Sequence, residues 1–424
     1  MAKKKAEKPK REVTKRQLSR WQQQRRRQRI IFSSGILIIV AVLCVVGAGV
    51  YFGWYVTERQ PLQETVIEVN ETKFDMNYYV KMLKFYGRSM SMENMEFVAD
   101  WVVTDIQRNE LIRQEALELG ISVSDEEVDE ELKSYDPPLS KDYRDVVRVG
   151  MLVERLRDEY FDQQVPKSAE QRHIMAIFLE SESQATEVRA RLEAGEDFTE
   201  LAGELSLDTF CQEKEGDLGW RPRGVLPLLI NSSVLEESAF NCEVGVLSEP
   251  IYEETKAKMV GYWLIKVLER DEEARMAKVK VMLLGSEQEA TEVRARLEDG
   301  EDFATLAGEL SQHDQSKENG GDFEVSQDAI SEAFGEFVFD PEVELETLSQ
   351  PIRDDTVRTE GGYWLVKVTE VDENRQIEEE DRDLLKRDAL NQWVEALWDD
   401  PDNKVESYLD DEKKAWAIMH AIES

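Results

Sequence analysis

Histidine and cysteine, the side chains best suited to proton-transfer, metal and nucleophilic chemistry near neutral pH, are sparse in this 424-residue chain. Histidine occurs only at His173, His313 and His420, which excludes a histidine-rich metal site. Cysteine occurs at Cys44, Cys211 and Cys242. Cys211 and Cys242 would form a disulfide only in an oxidising compartment, and two free thiols are the plainer reading. No phosphate loop is present. The chemistry that remains is non-covalent: apolar and aromatic side chains that seat a ligand, with a few polar groups beside them.

Those side chains sit in a duplicated frame. Residues 185–206, ATEVRARLEAGEDFTELAGELS, recur as 290–311, ATEVRARLEDGEDFATLAGELS, with 19 of 22 positions identical. Phe198, Leu201, Ala202 and Leu205 fall at i, i+3, i+4 and i+7, one apolar face of a helix. Each copy opens on an apolar strand, IMAIFL (174–179) or VKVMLL (279–284), and breaks its two helices at Gly195 or Gly300. Each closes on GYWLIKV (261–267) or GYWLVKV (362–368). Strand first, strand last and helices between predict two small α+β domains, 169–271 and 274–373, each with its own terminal strands side by side.

The flanking segments place this frame. Residues 1–29 carry thirteen Lys/Arg against two acids, whereas the whole chain has a net charge of −37. The head reads as a disordered basic tail that signals topology, and no nucleic-acid partner is expected. Residues 30–55 contain no charge, follow Arg25, Arg26, Arg27 and Arg29, and end on Trp54 and Tyr55. A run of this length predicts a single transmembrane helix, with the N-terminus cytoplasmic and everything beyond residue 56 extracytoplasmic. A cleaved signal peptide is the alternative, but the run exceeds a typical signal core of about 7–15 residues.

Between span and repeat, residues 60–168 read as a helical domain. VIEVN (66–70) is a short strand ending in a turn at 70–73. A helix over 92–118 is expected to bury Phe97, Trp101, Ile106, Leu111, Ile112, Ala116 and Leu117. Ser124 caps a following helix whose first turn is acidic. A further amphipathic helix covers 141–164. C-terminal helices occupy 376–424, interrupted by DDPDNK (399–404), and Trp416, Ile418 and Met419 of the last one need a partner surface.

The repeat units resemble parvulin-type peptidyl-prolyl isomerase domains. The pattern is His173-Ile174, GEDFTELAGELS, GDLGW (216–220), LEESAF (235–240), GVLSEPI (245–251) and GYWLIKV. VNETKF and GISVSDEEVDEEL resemble the N-terminal chaperone region of the SurA and PrsA foldases, and the resemblance implies that 376–424 packs back on 60–168. It further implies catalytic roles for His173 and Asp208. It implies a proline seat built from Leu218, Leu235, Phe240 and Trp263 in the first unit, and from Phe334, Phe339 and Trp364 in the second. Both units depart from the pattern, since Trp263 and Trp364 stand where a closing-strand histidine is common. In the second unit Lys278 falls opposite His173, and His313 opposite Asp208.

Rotation about an X–Pro bond faces a barrier of about 18–20 kcal/mol from amide resonance and breaks no bond. The implied chemistry therefore needs no cofactor and no metal. Three readings follow: a membrane-anchored extracytoplasmic isomerase and foldase acting on unfolded, proline-containing polypeptides, a holding chaperone without catalysis, or a structural envelope protein. The first unit is expected to be the more active. The acidic body is first of all a solvated surface, and second a field that steers basic clients.

Overall fold

The computed structural model describes Phe32, 35–49, Tyr51, Gly53, 59–88, Met90 and 92–422, except 272–273 and 328–330. Among these residues no helix is long and apolar enough to cross a membrane. Residues 35–49 are helical, but the remainder of the charge-free run is largely outside the described residues, as are the basic tail 1–29 and the ends of the expected span. The described chain forms two compact units, one of residues up to Leu156 with Gln392–Ser424, the other Arg157–Asn391.

Strands are numbered in chain order. In the first unit β1 (Thr65–Val69) and β2 (Thr72–Asp75) form a sheet with β11 (Val405–Ser407), in the order β11-β1-β2. Asn70, at the β1–β2 turn, holds the two ends of this unit together. It adopts φ 54°, and its amide donates to Gln114 (2.7 Å) and Asn403 (2.9 Å) while its carbonyl oxygen accepts from the Lys404 N–H (2.8 Å). Helix Met76–Tyr86 starts at Asp75, whose carboxylate accepts from the Tyr78 N–H. Helix Asp125–Ser134 has a reciprocal cap between Ser124 and Glu127. The core joins Val66, Ile67, Tyr79, Leu83, Val102 and Ile106 to Ala417 and Ile418 of the last helix, Asp411–Ile422. Helix Met92–Glu118 turns differently from the sequence reading. Phe97, Trp101 and Leu117 are 80%, 50% and 54% exposed, while Met95, Ala99, Val102 and Val103 face the core. The helix is apolar on more than one side, so spacing alone did not fix which stripe packs.

The second unit has two four-stranded sheets. The strands are β3 (Ser168–Leu179), β4 (Asp217–Pro222), β5 (Ile251–Lys258), β6 (Gly261–Asp271), β7 (Met276–Leu284), β8 (Asp322–Ser326), β9 (Ile352–Asp354) and β10 (Thr359–Gln376). Their order is β4-β3-β10-β5 in one sheet and β8-β7-β6-β9 in the other. The expectation that each repeat closes on its own terminal strand is therefore corrected. The strand that ends the second repeat, β10, lies between β3 and β5 of the first, and β6 lies between β7 and β9 of the second. We call the resulting bodies domain A (168–258 with 359–376) and domain B (261–354).

The two sheets share one register. Trp364 is opposite Phe178 and Trp263 is opposite Leu283, positions 105 residues apart on β3 and β7. The glycine before each Tyr-Trp pair is required by close approach. A Cβ on Gly362 would lie 2.5 Å from the Phe178 ring, and one on Gly261 would lie 2.7 Å from Leu283. The duplicated helices cover one face of each sheet. Ala185, Val188, Leu201 and Ala202 pack on Ile177 and Leu179, and Ala290, Val293, Leu306 and Ala307 pack on Met282 and Leu284.

The chain crosses between domains twice, at 259–260 and 355–358, and polar groups tie the crossing. The Thr359 hydroxyl donates to Val260 O, Gln312 exchanges two hydrogen bonds with the Glu360 backbone, and Arg353 donates to the Tyr262 hydroxyl (2.7 Å). The Lys258 ammonium, 3% exposed, donates to the carbonyls of Glu360 and Gly361. Burial pulls its pKa down to about 8, against the attraction of Glu180, Glu289 and Glu360.

Two tests follow from these contacts. Asn70→Ala forfeits three hydrogen bonds and a left-handed backbone that alanine tolerates poorly. It should lower the stability of the first unit by about 2 kcal/mol in urea unfolding, with Asn70→Gly intermediate. Above pH 8 the folded chain releases the Lys258 proton while the unfolded chain keeps it to about 10.4, so folding becomes more favourable as pH rises through this window. The thermal midpoint of the second unit should therefore rise between pH 8 and 9.5, and Lys258→Met should flatten that rise.

Candidate functional site

The face of each sheet not covered by the duplicated helices holds a second cluster of buried apolar side chains, the candidate seat. In domain A it is built by Ile174, Ala176 and Phe178 of β3, Leu218 of β4, Trp364 and Val366 of β10, and Leu226, Leu235 and Phe240 from the helical segments between β4 and β5. Helix Ser233–Asn241 presents Leu235 and Phe240 inward, and the Ser232 side chain caps it by accepting from the Leu235 N–H. The Phe178 and Trp364 rings meet at 4.7 Å.

One buried ion pair gives this seat its polarity. The Lys256 Nζ lies 2.7 Å from an Asp208 carboxylate oxygen, with both side chains 9% exposed. It also donates to Ile230 O (2.6 Å) and stands 5.8 and 5.6 Å from the Phe178 and Trp364 ring centres. The second Asp208 oxygen accepts from the Cys211 N–H (2.7 Å), which starts helix Thr209–Glu213. The Cys211 thiol is buried, and burial followed by the neighbouring Asp208 charge pushes its pKa up, so it is no nucleophile. Cys211 and Cys242 are both free thiols.

His173 stands outside this arrangement. Its Nδ1 is 2.8 Å from the Thr369 hydroxyl, its Nε2 is 3.4 Å from Asp217, and its ring meets Trp220 edge-on. Among the described residues no hydrogen bond, ion pair or ring contact joins His173 to Asp208. Strand alternation explains the separation. Ile174, Ala176 and Phe178 face the seat, so His173 falls on the side of Ile177 and Leu179.

The seat of domain B has the same plan and different polar groups. It contains Trp263, Val279, Val281, Leu283, Val325, Phe334 and Val338, with Phe323, Phe337 and Phe339 partly buried against them. His313 occupies the place of Asp208, starting helix Asp314–Glu318 through its Nδ1, which accepts from the Ser316 N–H (3.4 Å). Its ring lies 5.4 Å from Trp263 and 5.2 Å from Phe323. Burial lowers its pKa, against the pull of Asp314, so the imidazole is neutral near pH 7. Lys278 lies on the inner strand β7 with its side chain exposed and paired with Glu269 (2.7 Å).

A carboxylate–serine pair braces both seats. In domain B the Trp263 indole N–H donates to Asp354 (2.9 Å), which also accepts from the Ser331 and Thr356 hydroxyls. Burial alone would raise the Asp354 pKa, but these hydrogen bonds hold it below the usual value. In domain A the corresponding Glu253 accepts from Ser232 (2.6 Å), but the fully buried Trp364 indole nitrogen has no hydrogen-bond partner among the described residues.

The structure thus gathers Asp208, Leu218, Leu235, Phe240 and Trp364 in one seat and Trp263, Phe334, Phe339 and His313 in the other. The two tryptophans have changed places relative to the sequence assignment. Phe178, Lys256 and Asp354 were missed. TKAK (255–258), with two lysines at alternate strand positions, was the available signal, but a strand pattern alone does not distinguish buried from edge lysines.

Residues 173–269 and 262–372 each match the family described as the PPIC-type PPIASE domain, and residues 21–142 match the SurA-like N-terminal domain. The seats and sheets therefore define a protein with parvulin-type peptidyl-prolyl isomerase domains. The chain is 31% identical over 185 residues to the foldase protein PrsA of Caldanaerobacter subterraneus subsp. tengcongensis, covering 41% of this chain and 57% of that protein. It is 26% identical over 360 residues to the chaperone SurA of Alcanivorax borkumensis, covering 78% and 71%. Superposition on the solved peptidylprolyl isomerase PrsA of Bacillus anthracis covers 75% of this chain and 94% of that one, at 12% identity and a TM-score of 0.28. More particularly, two such domains behind a SurA-like N-terminal domain make the chain similar in domain composition to the SurA and PrsA proteins.

The buried pair in domain A has a measurable consequence. Asp208→Ala leaves an uncompensated buried ammonium and should destabilise the second unit by about 3–5 kcal/mol in denaturant unfolding. Replacing both partners, Asp208→Leu with Lys256→Met, should recover most of that loss.

Proposed function

We propose that this protein is a membrane-anchored extracytoplasmic foldase that takes proline-containing, incompletely folded polypeptides into the apolar seats of its two parvulin-type domains. The observation that carries this reading is the pair of seats in one register, each lined by aromatic and aliphatic side chains around a polar centre, the Asp208–Lys256 pair in one and His313 in the other. The charge-free run 30–55, flanked by four arginines, supports the anchor and its orientation. The relatives named foldase and chaperone agree with client binding.

Seat B is the better candidate for isomerisation. Its neutral His313 and the aromatic rings of Trp263, Phe323 and Phe334 offer an apolar bed with one hydrogen-bonding nitrogen, His313 Nε2, that no described group occupies. Such a bed favours a twisted amide, whose nitrogen and carbonyl are less conjugated than in the planar form. A second reading, holding without catalysis, is favoured in domain A, where the Lys256 ammonium stands over the seat and bonds Asp208.

The full-length protein in detergent, added to a client whose refolding is limited by a proline bond, should accelerate the slow phase. His313→Ala should reduce the acceleration about tenfold or more. His173→Ala should leave it unchanged. Suppressed client aggregation with no acceleration identifies the holding reading, and neither effect refutes both. Protease added outside intact cells should degrade residues beyond 56 while sparing the N-terminal tail, and protection of the body would overturn the orientation.

A further inference from the structure

Strand exchange leaves the chain a second way to fold, and the two ways differ in what covers seat A. GYWLIKV and GYWLVKV differ at one position in seven, Ile265 against Val366. They meet their neighbours in equivalent registers, Trp364 with Phe178 and Ile251, and Trp263 with Leu283 and Ile352. Within this motif the two strands differ by one methylene, so either sheet offers them nearly the same apolar contacts.

The connections also permit the trade. With β6 in the place of β10, Gly261 would face Glu253, leaving the seven residues 254–260 as a hairpin loop. With β10 in the place of β6, Gly362 would face Asp354, leaving the seven residues 355–361. Equal loops of this length are far shorter than the structureless connections that become uncommon. The sequential topology is thus stereochemically open to the same sequence.

In the exchanged form β5 continues through residue 258, paired to β10 at Ala257 and Lys258. That extension places the Lys256 ammonium against Asp208, Phe178 and Trp364. In the sequential form Lys256 belongs to the hairpin loop and leaves the seat. We propose that the exchange of β6 and β10 is an autoinhibitory device: the exchanged topology closes seat A with Lys256, and the sequential topology opens it to an extended polypeptide. This rests on the reading that the seats bind clients. β10 and β6 are inner strands, so the choice is made as the second unit folds and is not toggled in the native state.

The test uses the full chain with Cys44, Cys211 and Cys242 replaced by serine. Met175 is opposite Lys367 in the exchanged form, and Lys266 takes the place of Lys367 in the sequential form. Met175→Cys with Lys367→Cys therefore traps the first topology, and Met175→Cys with Lys266→Cys traps the second. After refolding and oxidation both cross-links are expected in peptide maps. The 175–266 form should bind an unstructured proline-containing peptide at least about tenfold more tightly, as when a closed state leaves a tenth of the sites competent. Lys256→Ala in the 175–367 form should restore that affinity. Formation of the 175–367 link alone, across refolding conditions, overturns the exchange. Equal peptide affinity in both trapped forms overturns the closure. Two cross-links with no peptide binding in either form refute the client-binding reading and the closure together, and leave the two topologies standing.

Discussion

The pairing of β10 with β3 is the constraint on which the second unit depends. This ladder runs from Ser168 to Leu179 along one strand and from Tyr363 to Gln376 along the other, the longest pairing among the described residues. It joins residues nearly two hundred positions apart, so domain A is not complete until the whole segment from β3 to β10 has been made. Two sequence repeats are thereby converted into a domain inserted within another, with chain crossings at 259–260 and 355–358 among the described residues. The polar contacts at that crossing, including the buried Lys258, exist because two chain segments pass side by side there.

The same pairing decides what the seats contain. Each inherits its floor from the opening strand of one repeat and its tryptophan from the closing strand of the other. Domain B satisfies its indole through Asp354 and Ser331. Domain A keeps the serine–carboxylate pair in Glu253 and Ser232, but among the described residues gives the Trp364 N–H no hydrogen-bond acceptor. The extra methylene of Glu253 and its bond to Ser232 accompany that difference. Seat A then has an internal ion pair as its polar centre and seat B a neutral imidazole, although both grew from one duplicated frame. Duplication preserved the helices that build the scaffold, whose buried faces tolerate little change, and left the seat-facing loops free to diverge.

The electrostatic field is a property of the whole surface. Most acids lie on exposed helix faces and turns, where arginine partners such as Arg191 with Glu196 and Arg296 with Glu301 recur at the same place in each repeat. Exposed pairs of this kind add little stability. Their excess of negative charge bears on solubility and on the approach of basic client segments, not on the fold.

Much of the architecture was written in local patterns. The α+β class, the duplicated helices, the Ser124 cap, the strand at 66–70 and the apolar residues of both seats follow from periodicity, capping chemistry and the repeat, because each depends on neighbours within a few positions. The placement of His173 was not legible: a one-residue change of phase sends a strand side chain to the opposite face, and only the assembled sheet sets the phase. Phe97 and Trp101 were misread for the related reason that a helix apolar on several sides does not announce which side will pack. Above all, two nearly identical closing strands present the same hydrogen-bonding edge and the same side chains to either sheet. No local property distinguishes their partners, so the sequence by itself determined that two such domains form, and only long-range pairing in the folded chain decided which strand completes which one.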